Sequence, residues 1–302
     1  MRKSLRSFFS LAALTLVLFS CKKDAIDPPA TPTFAWHDLQ TRPTFDSTIK
    51  GAAEHLDMGN PSEAVIDATN FLNYLIIKPQ YCLSYNRDRG TPNWVSWHLD
   101  PSWLGGAARQ DDFRADTSLP SGWYRVQNID YGGSGFDRGH NTPSADRTST
   151  IQDNSATFLM TNMIPQAPNN NQQTWANLEG YCRTLVNSGS ELYIIMGSYG
   201  IGGTGSNGDK TTIANGHVIV PSFIWKVVVV LPQGINDLGR VQLSTRIIAV
   251  ITPNSNTITP SWGVYRTTVN AIELATGYNL LSNLSSQVQQ VVEDKVDSGP
   301  TQ

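Results

Sequence analysis

His140 is the residue best suited to proton-transfer chemistry, and it ends the segment Gly-Phe-Asp-Arg-Gly-His at positions 135–140. An imidazole is partly neutral near pH 7, so it can take a proton from water. Such a base typically contributes about 10²–10⁴-fold to a rate. A lone histidine is more often a satisfied core residue, so this interpretation depends on the residues around it.

A polar run some thirty positions downstream leads into an amphipathic helix. It contains three consecutive asparagines, 169–171, and the sequence predicts a helix over Thr174–Val186. The apolar stripe of that helix falls at i, i+3, i+7 and i+10, at Trp175, Leu178, Cys182 and Leu185. Any of the three asparagines could serve as a helix N-cap. Glu179 and Arg183 follow Trp175 at four-residue steps, which places them along one side of the helix.

Arginine is the basic residue around these motifs. No lysine occurs between Pro79 and Asp209, and the basic residues there are Arg87, Arg89, Arg109, Arg114, Arg125, Arg138, Arg147 and Arg183. The formal net charge is −3, whereas nucleic-acid binders are usually basic. A guanidinium group matches the geometry of phosphate. The pattern therefore favours local phosphate recognition on an acidic body.

The elements that must position these residues are mostly strands. Strands are predicted over Tyr74–Tyr85, Trp94–Leu99, Thr157–Met163, Glu191–Met196, His217–Val220, Phe223–Leu231 and Arg246–Ile251. The continuously apolar run Val227–Leu231 predicts a central strand covered on both faces. A short helix is predicted over Ser62–Asp67, and Gly200–Gly208 is interpreted as a surface loop because it lacks the ending of a nucleotide-binding loop. Helices are few and not regularly interleaved, so the fold class is predicted as α+β.

The motifs occur in an order that resembles a known family. Asp137-Arg138-Gly139-His140 and Asn169–Glu179 are accompanied by Pro92–Trp97, Thr142–Arg147 and Thr161–Gln166. Together they resemble the DNA/RNA non-specific endonucleases across most of residues 55–235. The resemblance implies a ββα-metal (His-Me) finger with a mostly antiparallel central sheet flanked by helices. Asn141 departs from the family pattern, which usually has Gln, Leu, Ile or Met after the histidine.

The resemblance implies a role for each motif residue. His140 would activate water, and Asn171 would bind Mg²⁺, with Mn²⁺ as an alternative; Mg²⁺ prefers oxygen ligands and keeps several waters. Glu179 would hydrogen-bond a metal-bound water. Arg183 would reach a phosphate or pair with Glu179.

Four further residues complete the predicted site. Arg109 is the candidate for stabilising transition-state charge, with Arg114 as a close rival. Arg138 and Asp137 are predicted to fix the hairpin that carries His140, with Arg138 also near substrate. Asn162 is predicted on the strand paired with that hairpin.

The N-terminal residues predict export. Residues 1–20 combine a basic start with a short apolar run and are interpreted as a lipoprotein-type signal peptide. Cys21 would carry the lipid anchor in the bacterial cell envelope, with ordinary secretion as the alternative. Residues 21–48 would form a tether, 49–296 the nuclease domain and 297–302 a tail. Cys82 and Cys182 could form a disulfide or be two buried thiols.

The predicted function is that of a metal-dependent, sugar-non-specific endonuclease. Its substrates would be DNA and RNA, and its products would carry 5′-phosphate and 3′-hydroxyl ends, as the resemblance implies. A phosphodiesterase on the same scaffold and a non-catalytic surface binding module are the alternatives. No feature of the sequence indicates an obligate protein partner.

Overall fold

The structure is a computed structural model that describes residues 54–302. The predicted signal peptide, Cys21 and the tether lie outside the described residues, as do residues 49–53 of the predicted domain. Within the described range, no helix is long and apolar enough to cross a membrane.

A seven-stranded antiparallel sheet forms the centre of the fold, in the order β1-β2-β3-β6-β11-β12-β13. Its strands are β1 (Tyr74–Lys78), β2 (Tyr81–Asn86), β3 (Thr91–Leu99), β6 (Ser190–Tyr199), β11 (Phe223–Pro232), β12 (Arg246–Pro253) and β13 (Arg266–Thr267). Three two-stranded ribbons pair β4 (Asp137–His140) with β5 (Met163–Gln166), β7 (Gly203–Gly205) with β8 (Gly208–Lys210), and β9 (Thr212–Ile213) with β10 (Val218–Ile219).

The helices are short apart from one. They are α1 (Ile151–Ala156), α2 (Ala176–Asn187), α3 (Asp237–Arg240), α4 (Val269–Thr276) and α5 (Ser286–Val292). A π-helical turn, Asn170–Trp175, leads directly into α2. The predicted helix over Thr174–Val186 is therefore confirmed. It begins four residues earlier than predicted, at Asn170, and its first turn, which includes Asn171, is π-helical.

The sheet separates two apolar cores. One, here called the α2-side core, contains Trp97, Trp175, Leu178, Ile194 and Val228. The other, the α4-side core, contains Trp225, Val227, Ile272, Leu280 and Val292. Alternate residues of β11 enter opposite cores, as the pleat of a strand requires. The predictions of an α+β fold and of a central strand covered on both faces are confirmed.

The two cysteines of the described range lie on opposite faces of the sheet. Cys182 belongs to the α2-side core and Cys82 to the α4-side core. They form no disulfide with each other in the part of the chain described. Burial raises the pKa of both thiols to about 12. Of the two alternatives, the structure has the buried thiols.

Two predictions near the start of the domain are wrong. Tyr74–Tyr85 forms two strands instead of one, because the chain turns at Pro79 and Gln80 between β1 and β2. The predicted helix Ser62–Asp67 is a turn region in which Val65 bridges to Tyr74. Asn60 holds this turn by exchanging hydrogen bonds of 2.9 Å with the backbone of Ala64.

The predicted strand Thr157–Met163 is also wrong. A 3₁₀ turn, Met160–Asn162, occupies its second half, and the strand β5 begins only at Met163. Asn162 thus lies immediately before the strand paired with β4 and not on it. Its own side chain causes this, because Asn162 Nδ2 donates to the carbonyls of Thr142 and Thr157, which curl the chain around the amide.

The glycine-rich segment is an ordered hairpin, β7–β8, packed behind β4. Ser206 donates a backbone hydrogen bond of 2.9 Å to the Gly135 carbonyl. A Cβ atom on Gly205 would lie 2.4 Å from that same oxygen. Glycine is therefore required for the close approach that backs the segment leading to His140.

Candidate active site

The ribbon β4–β5 carries the histidine motif. Asp137 pairs with Gln166 at one end and His140 with Met163 at the other. A Cβ atom on Gly139 would lie 2.3 Å from Gln166 Oε1. The glycine of the motif thus allows the ribbon to close over the buried Gln166 side chain.

Two phenylalanines enclose the His140 ring edge-on. The ring centroids of Phe158 and Phe113 lie 4.9 and 5.5 Å from that of His140. The imidazole hydrogen-bonds the backbone of Arg138, while Nε2 is buried without a partner among the described residues. If Nδ1 donates to the Arg138 carbonyl, Nε2 carries the lone pair and can accept a proton.

The surroundings of His140 favour its neutral form. Burial lowers its pKa to about 3, assisted by the positive charges of Arg109 and Arg138 and opposed by the hydrogen bond to the Arg138 backbone. The ring is consequently neutral at physiological pH. An anion that neutralised Arg109 and Arg138 would remove their contribution to the lowered pKa of His140, so the imidazole would become a stronger base.

Arg109, and not Arg114, lies beside His140. Its guanidinium stands 4.9 Å from the Phe158 ring centroid and donates to Ser144 Oγ at 2.7 Å. The Arg114 side chain instead donates to Asp112 and to the Ser155 carbonyl, at 2.7 and 2.9 Å. Arg138 packs over Phe113 at 4.5 Å and donates to Asn128. Two guanidinium groups therefore flank the imidazole.

The three consecutive asparagines have different tasks. Asn169 donates to the Asn256 carbonyl at 2.8 Å, and Asn170 to the Pro253 carbonyl at 2.8 Å, so they anchor the start of the π turn to the end of β12 and to the segment after it. Asn171 points the other way and donates through Nδ2 to Asp137 Oδ2 at 2.8 Å. The π turn thus joins the helix entrance to the histidine ribbon.

Asn254 is a buried residue whose side chain bonds three backbone groups of this region. It was not identified in the sequence analysis. Its Oδ1 accepts from the Ala167 backbone N–H at 2.7 Å, and its Nδ2 donates to the carbonyls of Pro165 and Pro221 at 2.9 Å each. It therefore fixes the chain between β5 and the π turn. No local pattern marks it, since its partners lie up to 89 positions away.

The donor set fits a magnesium ion. Because Asp137 engages the NH₂ group of Asn171, the amide oxygen is directed away from Asp137, and it accepts no hydrogen bond from any described residue. Gln172 donates to the same Asp137 oxygen at 2.8 Å, so this carboxylate accepts from two amides. A single amide oxygen suits Mg²⁺, which keeps several waters when a protein holds it. In this arrangement Asp137 would orient Asn171 as a metal ligand.

Glu179 faces a fully buried lysine, which is the second residue that sequence reasoning missed. Lys226 Nζ lies 3.6 Å from Glu179 Oε1 and 4.9 and 5.5 Å from the ring centroids of Trp175 and Trp97. Burial raises the pKa of Glu179, and the charges of Lys226 and Arg183 oppose that rise. The sequence did contain a signal for this residue. Lys226 lies inside a strand predicted to be covered on both faces, where a charged side chain needs a partner.

Arg183 pairs with Asp146 and not with Glu179. It donates to Asp146 Oδ1 at 2.8 Å, while Trp97 Nε1 donates to the other oxygen at 3.1 Å. Asp146 and Ser144, the partner of Arg109, belong to the same 3₁₀ turn, Ser144–Asp146. This turn therefore provides a hydrogen-bond partner for both Arg109 and Arg183.

Asn162 and Asn141 are buried supports for the segment after His140. Asn162 Oδ1 accepts from the Thr142 backbone N–H at 3.0 Å, and Asn141 Nδ2 donates to the Asn162 carbonyl at 2.9 Å. Both residues are fully buried. All the side-chain polar groups of Asn162 are engaged with backbone, so it positions the ribbon.

Comparisons with known proteins identify the family of the chain. The profile of the DNA/RNA non-specific endonuclease family matches residues 59–287. A protein of Nostoc sp. named "Nuclease" is 50% identical over 244 residues, which cover 81% of this chain and 86% of that protein. Nuclease C1 of Cunninghamella echinulata var. echinulata is 33% identical over 239 residues, covering 76% of this chain and 88% of its own.

A solved structure shares the fold. The structure of EndoG in complex with EndoGI superposes with a TM-score of 0.62 at 24% identity, over 77% of this chain and 92% of that one. The ββα-metal architecture expected from the motifs is thereby confirmed. The fold and the family profile together place the chain among the nucleases, a class of phosphodiester hydrolases.

The chain belongs to the DNA/RNA non-specific endonuclease family. The predicted family, fold and nuclease function are confirmed. The family is metal-dependent.

Proposed function

We propose that the protein is a Mg²⁺-dependent endonuclease that cleaves DNA and RNA without sequence preference and leaves 5′-phosphate and 3′-hydroxyl ends. The observation that carries the proposal is the link between Asp137 and Asn171. That hydrogen bond joins the ribbon bearing an unpartnered histidine nitrogen to the helix entrance bearing an available amide oxygen. Family membership supports the same activity.

His140 acts as the general base. Its Nε2 accepts a proton from the attacking water while Nδ1 stays bonded to the Arg138 backbone, which keeps the ring in one orientation. The phosphate that arrives between Arg109 and Arg138 offsets their charges and so raises the proton affinity of the ring at the moment of attack.

The remaining residues hold the substrate and the metal. Asn171 would bind Mg²⁺, with Mn²⁺ as the substitute, and Glu179 would orient a metal-bound water. When bound, the ion supplies Lewis acidity toward the phosphoryl oxygens and the departing 3′ oxygen. Arg109 stabilises the charge that develops on the phosphate, and Arg183 supports this side through Asp146. Contacts from these arginines to backbone phosphate would carry no sequence information, so no sequence preference is expected.

His140→Ala tests the proposal. We expect loss of cleavage of both plasmid DNA and RNA in Mg²⁺, with an unchanged circular dichroism spectrum. The unaltered protein should lose activity in EDTA and regain it with Mg²⁺ or Mn²⁺. Its products should accept a 5′ label from polynucleotide kinase only after phosphatase treatment. Full activity of the variant, or full activity in EDTA, would refute the assigned roles.

We also propose that the chain is exported and held at the bacterial cell envelope by lipid on Cys21. The basic and apolar pattern of residues 1–20 before this cysteine supports the proposal. Metabolic labelling with a radioactive fatty acid should mark the protein, and Cys21→Ala should remove both the label and the membrane association. The proposal would be contradicted if the unaltered protein took up no label and associated with membranes to the same extent as the Cys21→Ala variant.

A further inference from the structure

A second cluster of metal-ligating side chains lies on the face of the sheet opposite α2. It is here called the sheet-end cluster and consists of His98, Glu191 and Asp237. Trp97 enters the α2-side core beside Lys226, so the next residue of β3, His98, points to the other face. Glu191 lies near the start of β6, and Asp237 begins α3. The cluster is therefore separate from the nuclease site.

The three side chains converge. One ligand atom from each lies within 4.8 Å of the other two. His98 and Glu191 are each only 2% exposed. His98 Nδ1 pairs with Glu54, whereas Nε2 lies 3.5 Å from Glu191 Oε2 and forms no hydrogen bond with any described residue. A buried imidazole nitrogen that faces a carboxylate without such a bond is unusual.

The cluster carries more negative than positive charge. Glu54, Asp57 and Asp100 adjoin it, so five carboxylates interact with His98 or with one another. Arg240 contacts Glu191 and Asp237. The pKa of Asp57 is raised by burial, then by the charges of Asp237 and Glu54. Arg147 donates to the backbone carbonyl of His98 at 2.9 Å, and it lies close enough to Glu54 and Asp100 for their charges to act on it. Two guanidinium groups among five carboxylates still leave a negative balance that a further cation would reduce.

We propose that the sheet-end cluster binds a divalent transition-metal ion, of the Zn²⁺ type, through His98, Glu191 and Asp237. One imidazole with two carboxylates is a donor set that Zn²⁺ accepts, with water completing the coordination. Arg240, whose side chain is 25% exposed, swings toward solvent when the ion enters. The ion links the start of α3 to the end of β3 and the start of β6. It therefore stabilises the fold and takes no part in phosphodiester cleavage.

The test uses metal-free protein that carries Asn171→Ala, which removes the proposed nuclease ligand and makes the result independent of the proposed function. We expect one equivalent of Zn²⁺ to remain after gel filtration in ZnCl₂ and to raise the thermal midpoint. His98→Gln and Asp237→Asn should each weaken zinc binding by at least about 100-fold. His217→Gln, at an exposed histidine elsewhere, is the matched control and should bind zinc normally.

Arg240→Gln keeps the proposal falsifiable if His98→Gln does not fold. Removal of this competing cation should tighten zinc binding by about tenfold or more, because a like charge beside the ion is lost. If the cluster is only a network of ion pairs, Arg240→Gln will lower the thermal midpoint and zinc will change nothing. Zinc binding that survives both His98→Gln and Asp237→Asn would also overturn the proposal.

Discussion

Replacing Lys226 by methionine should shift the pH dependence of cleavage. Lys226 is the buried cation closest to Glu179, with 3.6 Å between Nζ and Oε1. At an effective dielectric constant of about 20, two unit charges at that distance attract by about 5 kcal/mol. Methionine preserves the length of the side chain between Trp97 and Trp175 but removes the charge. The carboxylate of Glu179 then has to be ionised without its principal counter-ion.

The sign of the shift follows from the pKa of Glu179. Burial already raises this pKa, and Lys226 is the largest influence that opposes the rise. Loss of Lys226 raises it further, and the attraction of about 5 kcal/mol is an upper limit for this effect because Glu179 is 17% exposed and water screens part of the charge. Activity that requires ionised Glu179 should therefore fall on the acidic side of the pH profile, by about tenfold for each 1.4 kcal/mol of attraction lost, and recover at higher pH.

The assay is kcat/KM on a defined DNA substrate from pH 5 to pH 10 at saturating Mg²⁺. The acidic limb of the Lys226→Met profile should lie at higher pH than that of the unaltered protein. Glu179→Gln should lose this limb, and adding Lys226→Met to it should cause little further change, because the two residues act through one contact. Lys295→Met, at an exposed lysine, is the matched control. A Lys226→Met profile identical to that of the unaltered protein would refute the electrostatic role.

Three further outcomes are expected. Arg109→Ala should lower kcat by about 10²–10³-fold, whereas Arg114→Ala should leave steady-state cleavage nearly unchanged. Equal losses of activity in the two variants would contradict the assignment of transition-state stabilisation to Arg109 alone. Asn254→Ala, which breaks three buried hydrogen bonds, should raise the Mg²⁺ concentration for half-maximal activity by about 10–100-fold; an unchanged Mg²⁺ titration would contradict its positioning role. Burial and the nearby Glu273 raise the pKa of Glu293 to about 7, so the native state binds more protons than the unfolded chain and stability falls as the pH rises from about 4.5 to about 7. Urea unfolding of Glu293→Gln should therefore show a gain of up to about 3 kcal/mol at pH 8 and almost none at pH 4.5, and a gain of equal size at both pH values would show another cause.

The sequence was sufficient for features that depend on local spacing. The helix after Asn171, the central strand β11 and the histidine motif each follow from periodicity or from a short motif, and the fold class follows from their order. Errors arose where side chains bend the chain locally. Asn162 curls the segment before β5, and Pro79 divides the predicted strand, although both segments are rich in strand-forming residues.

The supports of the site could not be predicted because they act across the chain. Lys226 meets Glu179 only when β11 lies under α2, and Asn254 meets Ala167 across 87 positions. The different tasks of the three asparagines also depend on β12, which anchors two of them. Such contacts are decided by sheet order, which hydrophobic periodicity does not specify.

The π turn of residues 170–175 makes the site sensitive to chain length at one point. A π turn accommodates one more residue than an α turn, so deletion of one residue there would convert it to an α turn while α2 stayed in place. Every side chain upstream would then rotate by about 100° around the helix axis. Asn171 would leave Asp137 and the buried Asn170 would leave its partners in β12, so a three-nucleotide deletion here would break the link between the helix entrance and the histidine ribbon.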